Sequence, residues 1–201
     1  SVIQMCVASS VWTRYATALP SGDHAAFDTR AFGGTATAVF APSAASIDRP
    51  ALHALLKQHG LAAAAFGTGG GWLVHKWHLT HADPAIRTQA REFIRAIIDV
   101  AGEFKAPAII GSMQGKAEGD VSRDQALTWL AEALTDLGAH AAQYGVPLLY
   151  EPLNRYETNL LTRQLDAAQF RAITPLALDS LDTAIFSALG RCWRSQALAW
   201  A

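Results

Sequence analysis

The chain has 201 residues, 51% of them apolar, with 16 Lys and Arg against 17 Asp and Glu and a formal charge of −1. This suits one sizeable core in a single domain spanning 1–201, and the scattered cations exclude the basic face that a nucleic-acid partner needs. No apolar stretch reaches the ~20 residues of a bilayer span, while Cys6 and Cys192, far apart and without a secretory leader pattern, predict a reduced, cytoplasmic setting.

In chain order, Val2 to Val7 reads as a short buried strand, and Thr13 to Gly34 shows neither a helical nor a strand period. Thr35 to Phe40 is the next apolar run. Pro50 suits the first turn of a helix capped near Asp48, with Leu52, Leu55, Leu56 and His59 as its stripe and Gly60 as its end. Leu61 to Phe66 predicts a strand of small residues opening into Gly67-Thr68-Gly69-Gly70-Gly71-Trp72, a loop whose glycines let backbone approach a ligand or simply keep it mobile.

Asp83-Pro84 starts a long helix with Ile86, Ala90, Phe93, Ile94, Ile97, Ile98 and Ala101 at helical spacing. Ala106 to Ile110 is the following strand, ending in Gly111-Ser112-Met113-Gln114-Gly115. Ser122 and Gln125 form a capping box for a helix whose stripe is Ala126, Trp129, Leu130, Ala133, Leu134 and Leu137, closed by Gly145. Val146 to Tyr150 is a fifth apolar run, and it stops on Glu151. Alternating strands and helices imply parallel pairing with right-handed crossovers. A flavodoxin-like open sheet and the first five units of an eight-stranded barrel fit this order equally well.

The run ends in Glu151-Pro152-Leu153-Asn154-Arg155-Tyr156-Glu157, two carboxylates with hydrogen-bonding and cationic groups between them. This segment resembles the strand-five motif of the sugar isomerase/epimerase superfamily with the xylose-isomerase-like barrel, in particular its ketose 3-epimerase branch. The likeness extends back through Ile110-Gly111-Ser112 and Phe66-Gly67-Thr68-Gly69 to about Ala41. The resemblance implies a parallel (β/α) barrel of the TIM type, with active-site residues at the carboxyl ends of the strands. It also implies that Glu151 binds a divalent metal, Mn or Mg, and shuttles a proton, while Glu157 touches the sugar. Gly67, Gln114 and Trp72 are further candidates for substrate contact.

In that family the metal ligands are Glu, Asp, His and Glu, one from each of strands five to eight. Asp182 falls near the second of these. No Glu follows Glu157 and no His follows His140, so the family's full set is not assembled in its usual order. The expectation is therefore a partial barrel of five to six βα units with an atypical tail over 163–201, whose open edge is covered by the tail or by a second copy of the chain. Two functions follow: metal-dependent proton transfer on a ketose or small polyol, or a catalytically incompetent remnant that binds sugar. For Glu151 the bland alternative is a structural ion pair with Arg155. His75, His78 and His81, spaced too evenly to share one helical face, are expected in an ordinary loop, with His75 or His78 lining the pocket mouth.

Overall fold

The computed structural model describes residues 4–7 and 36–163. Strands β2 (Ala36–Phe40), β3 (Ala62–Gly67), β4 (Ala108–Ile110) and β5 (Leu148–Tyr150) are parallel and adjacent in chain order. Their register sets Ala108 beside Leu148 and Ile110 beside Tyr150, so β4 and β5 end level with each other. The residues of β4 and β5 are all buried, as in a parallel sheet covered on both faces.

The first strand corrects the expectation of uniformly parallel pairing. β1 (Gln4–Val7) runs antiparallel to β2, with Gln4 opposite Phe40 and Val7 opposite Thr37. An antiparallel neighbour needs no crossover helix; residues 8–35, between these strands, lie outside the described residues. Among the described residues β5 has one neighbour, β4.

Among the described residues four α-helices accompany the strands: α1 (Arg49–Gln58), α2 (Gly70–His75), α3 (Pro84–Glu103) and α4 (Arg123–Ala142). Asp48 caps α1 by accepting from the Ala51 N–H at 2.9 Å, and Asp83 caps α3 by accepting from Ala85 at 2.8 Å. Each cap satisfies a donor that the helix cannot pair internally. Ser122 caps α4, accepting from Gln125 N–H at 3.2 Å. The stripe of α1 is narrower than expected. Leu52 and Leu56, one turn apart, are buried, whereas Leu55 is exposed and His59 lies beyond the helix end.

The core sits between α3, α4 and the sheet, where Ile94, Ile97, Ile98, Leu130, Leu134 and Leu137 are buried. Each such side chain stabilises the fold by roughly 1.5–3 kcal/mol. Polar pairs lace the same two helices: Arg95 Nη2 meets both Asp136 oxygens at 2.5 Å, and Asp99 Oδ1 receives His140 Nε2 at 2.6 Å and the Tyr144 hydroxyl at 2.8 Å. These groups are partly exposed, where an ion pair contributes about 0–1 kcal/mol. Apolar burial therefore carries the helix layer, and the charges set its alignment. Among the described residues no helix is long and apolar enough to cross a membrane.

Candidate active site at the carboxyl ends of the strands

The segments leaving β3, β4 and β5 lock onto one another. Beyond β3, Thr68 extends the ladder, its N–H and hydroxyl both donating to Ile109 O, at 3.2 and 2.8 Å. The glycine run that follows is the entrance to α2 rather than a free loop. A Cβ on Gly70 would stand 2.5 Å from the carbonyl oxygen of Ala41, and one on Gly71 would stand 2.6 Å from Met113 Sδ. These glycines serve close packing of backbone on backbone and on Met113. Gly67 is buried and bare for a similar reason, because the Phe40 ring fills the space a side chain would take.

Past the end of α2, His78 is buried. Its Nδ1 lies 3.3 Å from Thr80 Oγ1, and its Nε2 lies 3.4 Å from Glu118 Oε1. Burial, with His81 beside it, lowers the His78 pKa from its ordinary value. Thr80 donates to Lys116 O at 3.0 Å. Gly115, at φ +80°, leaves room for both side chains; a Cβ there would come within 2.8 Å of the His78 ring. From the other side Thr158 donates to Gly115 O at 2.8 Å, and the Asn159 amide both accepts from Ala117 N–H and donates to Ala117 O, each at 2.8 Å. The β4 exit is thus clamped between the β3 and β5 exits.

Glu151 follows immediately on β5. Its backbone N–H donates to Ile110 O at 2.9 Å, continuing the β4–β5 ladder by one residue. Its carboxylate turns toward Gly111, where a Cβ would stand 2.8 Å from Oε2. Among the described residues no hydrogen-bond donor reaches that carboxylate. Burial, and to a lesser degree the nearby Glu157 charge, push its pKa up to about 7. The ion pair with Arg155 does not form: that guanidinium instead lies 5.3 Å from the Tyr156 ring centroid and donates to the Tyr156 hydroxyl at 3.3 Å.

The remaining candidates divide. Glu157 is exposed at the rim and receives a hydrogen bond from the Asn154 amide, while Asn154 Oδ1 accepts from Tyr156 N–H at 2.8 Å. Trp72 is half-buried on α2, with His78 edge-on at 5.6 Å and Lys76 Nζ 5.2 Å from its ring centroid. Gln114 is fully buried, and both its amide hydrogens are engaged on backbone carbonyls, those of Gly111 at 3.0 Å and Glu151 at 2.9 Å. That leaves it no N–H for a sugar hydroxyl. Asp182 and the 163–201 tail, apart from Arg163, lie outside the described residues.

His75 sits on α2 and stacks on Trp77 at 4.1 Å instead of lying in the loop with His78 and His81. Among the described residues no three His, Cys, Asp or Glu side chains come together in a metal-binding group. Sequence reasoning assigned no role at the site to Gly111 or Tyr150. The only signal was their position, one residue beyond and at the end of neighbouring strands.

Residues 25–174 match the xylose isomerase-like TIM barrel family. The chain belongs to that family. Over 110 residues it is 33% identical to an L-ribulose 3-epimerase of Methylomonas sp. (strain DH-1), an alignment covering 52% of this chain and 38% of that protein. A crystal structure of a D-allulose 3-epimerase from Methylomonas sp. superposes with a TM-score of 0.59 at 26% identity, covering 70% of this chain and 49% of the other. A structure of an L-ribulose 3-epimerase superposes equally well, with a TM-score of 0.59 over 76% of this chain and 50% of that one. At 21% identity it speaks to the fold alone. The chain thus spans half or less of the length of these relatives. The parallel strands and their helices are the corresponding part of a TIM barrel.

Proposed function

We propose that this chain carries the proton-transfer half of a ketose 3-epimerase site, acting on a free ketose or a related small polyol. The supporting observation is Glu151: a carboxylate at the carboxyl end of a parallel strand, with no donor among the described residues and a pKa raised to about 7. A general base works best when its pKa lies near the operating pH. In this reading the Glu151 carboxylate takes the proton from the carbon beside the ketose carbonyl. The electron pair left behind delocalises onto the carbonyl oxygen as an enediolate; a water molecule on the opposite face then returns a proton and inverts the centre, and the hydroxide left is neutralised by the proton that Glu151 took up. Glu157 accepts a hydrogen bond from a sugar hydroxyl at the rim, held in aim by Asn154. Trp72 forms an apolar wall, and Gly67 shapes the strand end beside it.

The donor set suits Mn or Mg in kind. Hard cations take carboxylate oxygens and keep waters, and the Glu151 oxygens are unclaimed by any described donor. Glu151 would hold such an ion, with Asp182 the proposed second ligand. When bound, the ion would supply charge stabilisation for the oxyanion of the enediolate. The experiment is C3 epimerisation of free ketoses with added Mn. Wild type should turn over, and Glu151→Gln should lose about 10²–10⁴-fold in kcat; equal rates would refute the role.

The absence of a three-residue ligand group among the described residues favours a second reading, a sugar-binding module without turnover. Calorimetry separates the two, because the module would bind ketose without metal and release it unchanged.

A further inference from the structure

We propose that Gln114 is a positioning residue for Glu151, tying the exit of β4 to the exit of β5 through its side-chain amide. The inference rests on the reading of Glu151 as the proton-transfer group. A glutamine amide offers two hydrogens and two lone pairs, and here three of the four are spent at one place. Nε2 donates to Gly111 O at 3.0 Å and to Glu151 O at 2.9 Å, while Oε1 accepts from the Tyr150 hydroxyl. Gly111 is the residue on which the Glu151 carboxylate rests, and Tyr150 precedes Glu151 in the chain. The amide therefore grips the acid's own peptide, the peptide supporting its carboxylate, and the side chain before it.

The arrangement fixes geometry because every alternative is costly. Gln114 is fully buried and the Tyr150 ring nearly so. Burial also raises the Tyr150 pKa, keeping its hydroxyl a donor. A buried polar group that loses its partner is left unsatisfied, so rotating the Gln114 amide would strand several groups together. The backbone of Gln114 is held in turn, its N–H donating to Gly111 O at 2.9 Å and its carbonyl lying 3.3 Å from Thr80 Oγ1. The amide is thus fixed to the β3 exit as well. A displacement of about 1 Å at a catalytic group costs on the order of 10²-fold in rate, which is the scale on which a brace of this kind acts.

Three variants test it: Tyr150→Phe, Gln114→Leu, and the double Gln114→Leu/Tyr150→Phe. The single Gln114→Leu leaves the Tyr150 hydroxyl without its acceptor, whereas the double variant removes that hydroxyl as well and should melt at a higher temperature than Gln114→Leu. A purely structural role predicts that activity recovers along with stability. Positioning predicts that it does not: kcat of the double variant stays at least about tenfold down, with KM within about threefold of wild type. Tyr150→Phe, which keeps the shape of the core, should lower kcat about threefold and shows the effect if the Leu variants do not fold. Hydrogen exchange at the Glu151 amide is read beside activity and needs no turnover. It should quicken about tenfold in the double variant while the α3 and α4 amides exchange as before. Unchanged kcat together with unchanged exchange overturns the proposal. If wild type shows no epimerisation at all, the functional reading fails, and the exchange measurement alone decides whether Gln114 holds the acid's backbone.

Discussion

Two stretches of the β5 exit lie within six residues of each other and differ in almost every physical respect. Tyr150 and Glu151 are set in a floor where strand ladder and buried amide hold the backbone, and bare Gly111 leaves room for the Glu151 carboxylate. Asn154 to Glu157 forms a rim: Tyr156 is 85% exposed, and the polar side chains hydrogen-bond chiefly within the segment. The floor has few alternatives because buried polar groups must keep their partners. The rim has many, because water can replace any partner it loses. A base that must meet a carbon-bound proton belongs on the floor, and a side chain that selects among sugar hydroxyls can sit on the rim.

The comparison can be broken most forcefully through pH. In the folded chain Glu151 holds its proton up to about pH 7, whereas an ordinary Glu releases it near 4.5. Between those values the folded state binds more protons than the unfolded one, so stability falls as pH rises through that window, by at most ~3 kcal/mol. Denaturant melts of the metal-free protein from pH 4 to 8 should show this decline, and Glu151→Gln should flatten it; parallel curves would remove the buried-acid account.

A smaller effect comes from Gly111→Ala, whose new Cβ would press 2.8 Å from Glu151 Oε2. Overpacking of this kind costs about 1–3 kcal/mol, and displacing the carboxylate should lower kcat at least about tenfold; stability with full activity would mean the carboxylate does not rest there. Glu157→Gln removes the lesser cause of the raised Glu151 pKa, so the acid limb of the pH–rate profile should move down by less than about one pH unit. The smallest effect belongs to the outermost residue. Arg155→Ala should change stability by no more than about 0.5 kcal/mol, and a larger loss would show that the rim is not the loosely held region described here.

Much of the scaffold was legible in the sequence because it follows local rules. Asp48 and Asp83 announced their helices by capping chemistry, and the stripes of α3 and α4 followed from spacing, with Ile94, Ile97, Leu130 and Leu134 buried as read. The place of Glu151 at the end of the fifth strand was legible because the apolar run stops on it. What escaped depended on contacts between distant segments. The glycines at 67, 70 and 71 read as letting backbone approach a ligand or as a mobile loop, and the packing of Phe40, Ala41 and Met113 against them was not visible in the sequence. Gln114 read as a candidate sugar contact, and its bond to the carbonyl of Glu151, 37 residues on, was not visible in the sequence. The sense of β1 was hidden too, since an apolar run looks the same in either direction.

The central claim is that Glu151 exchanges a proton with a carbon of the sugar. It is tested most directly by incubating a free ketose with the Mn-supplemented protein in heavy water and following deuterium at C3 by NMR. The account predicts incorporation by wild type and a loss of at least about 10²-fold in Glu151→Gln. Equal incorporation by the two proteins would contradict it.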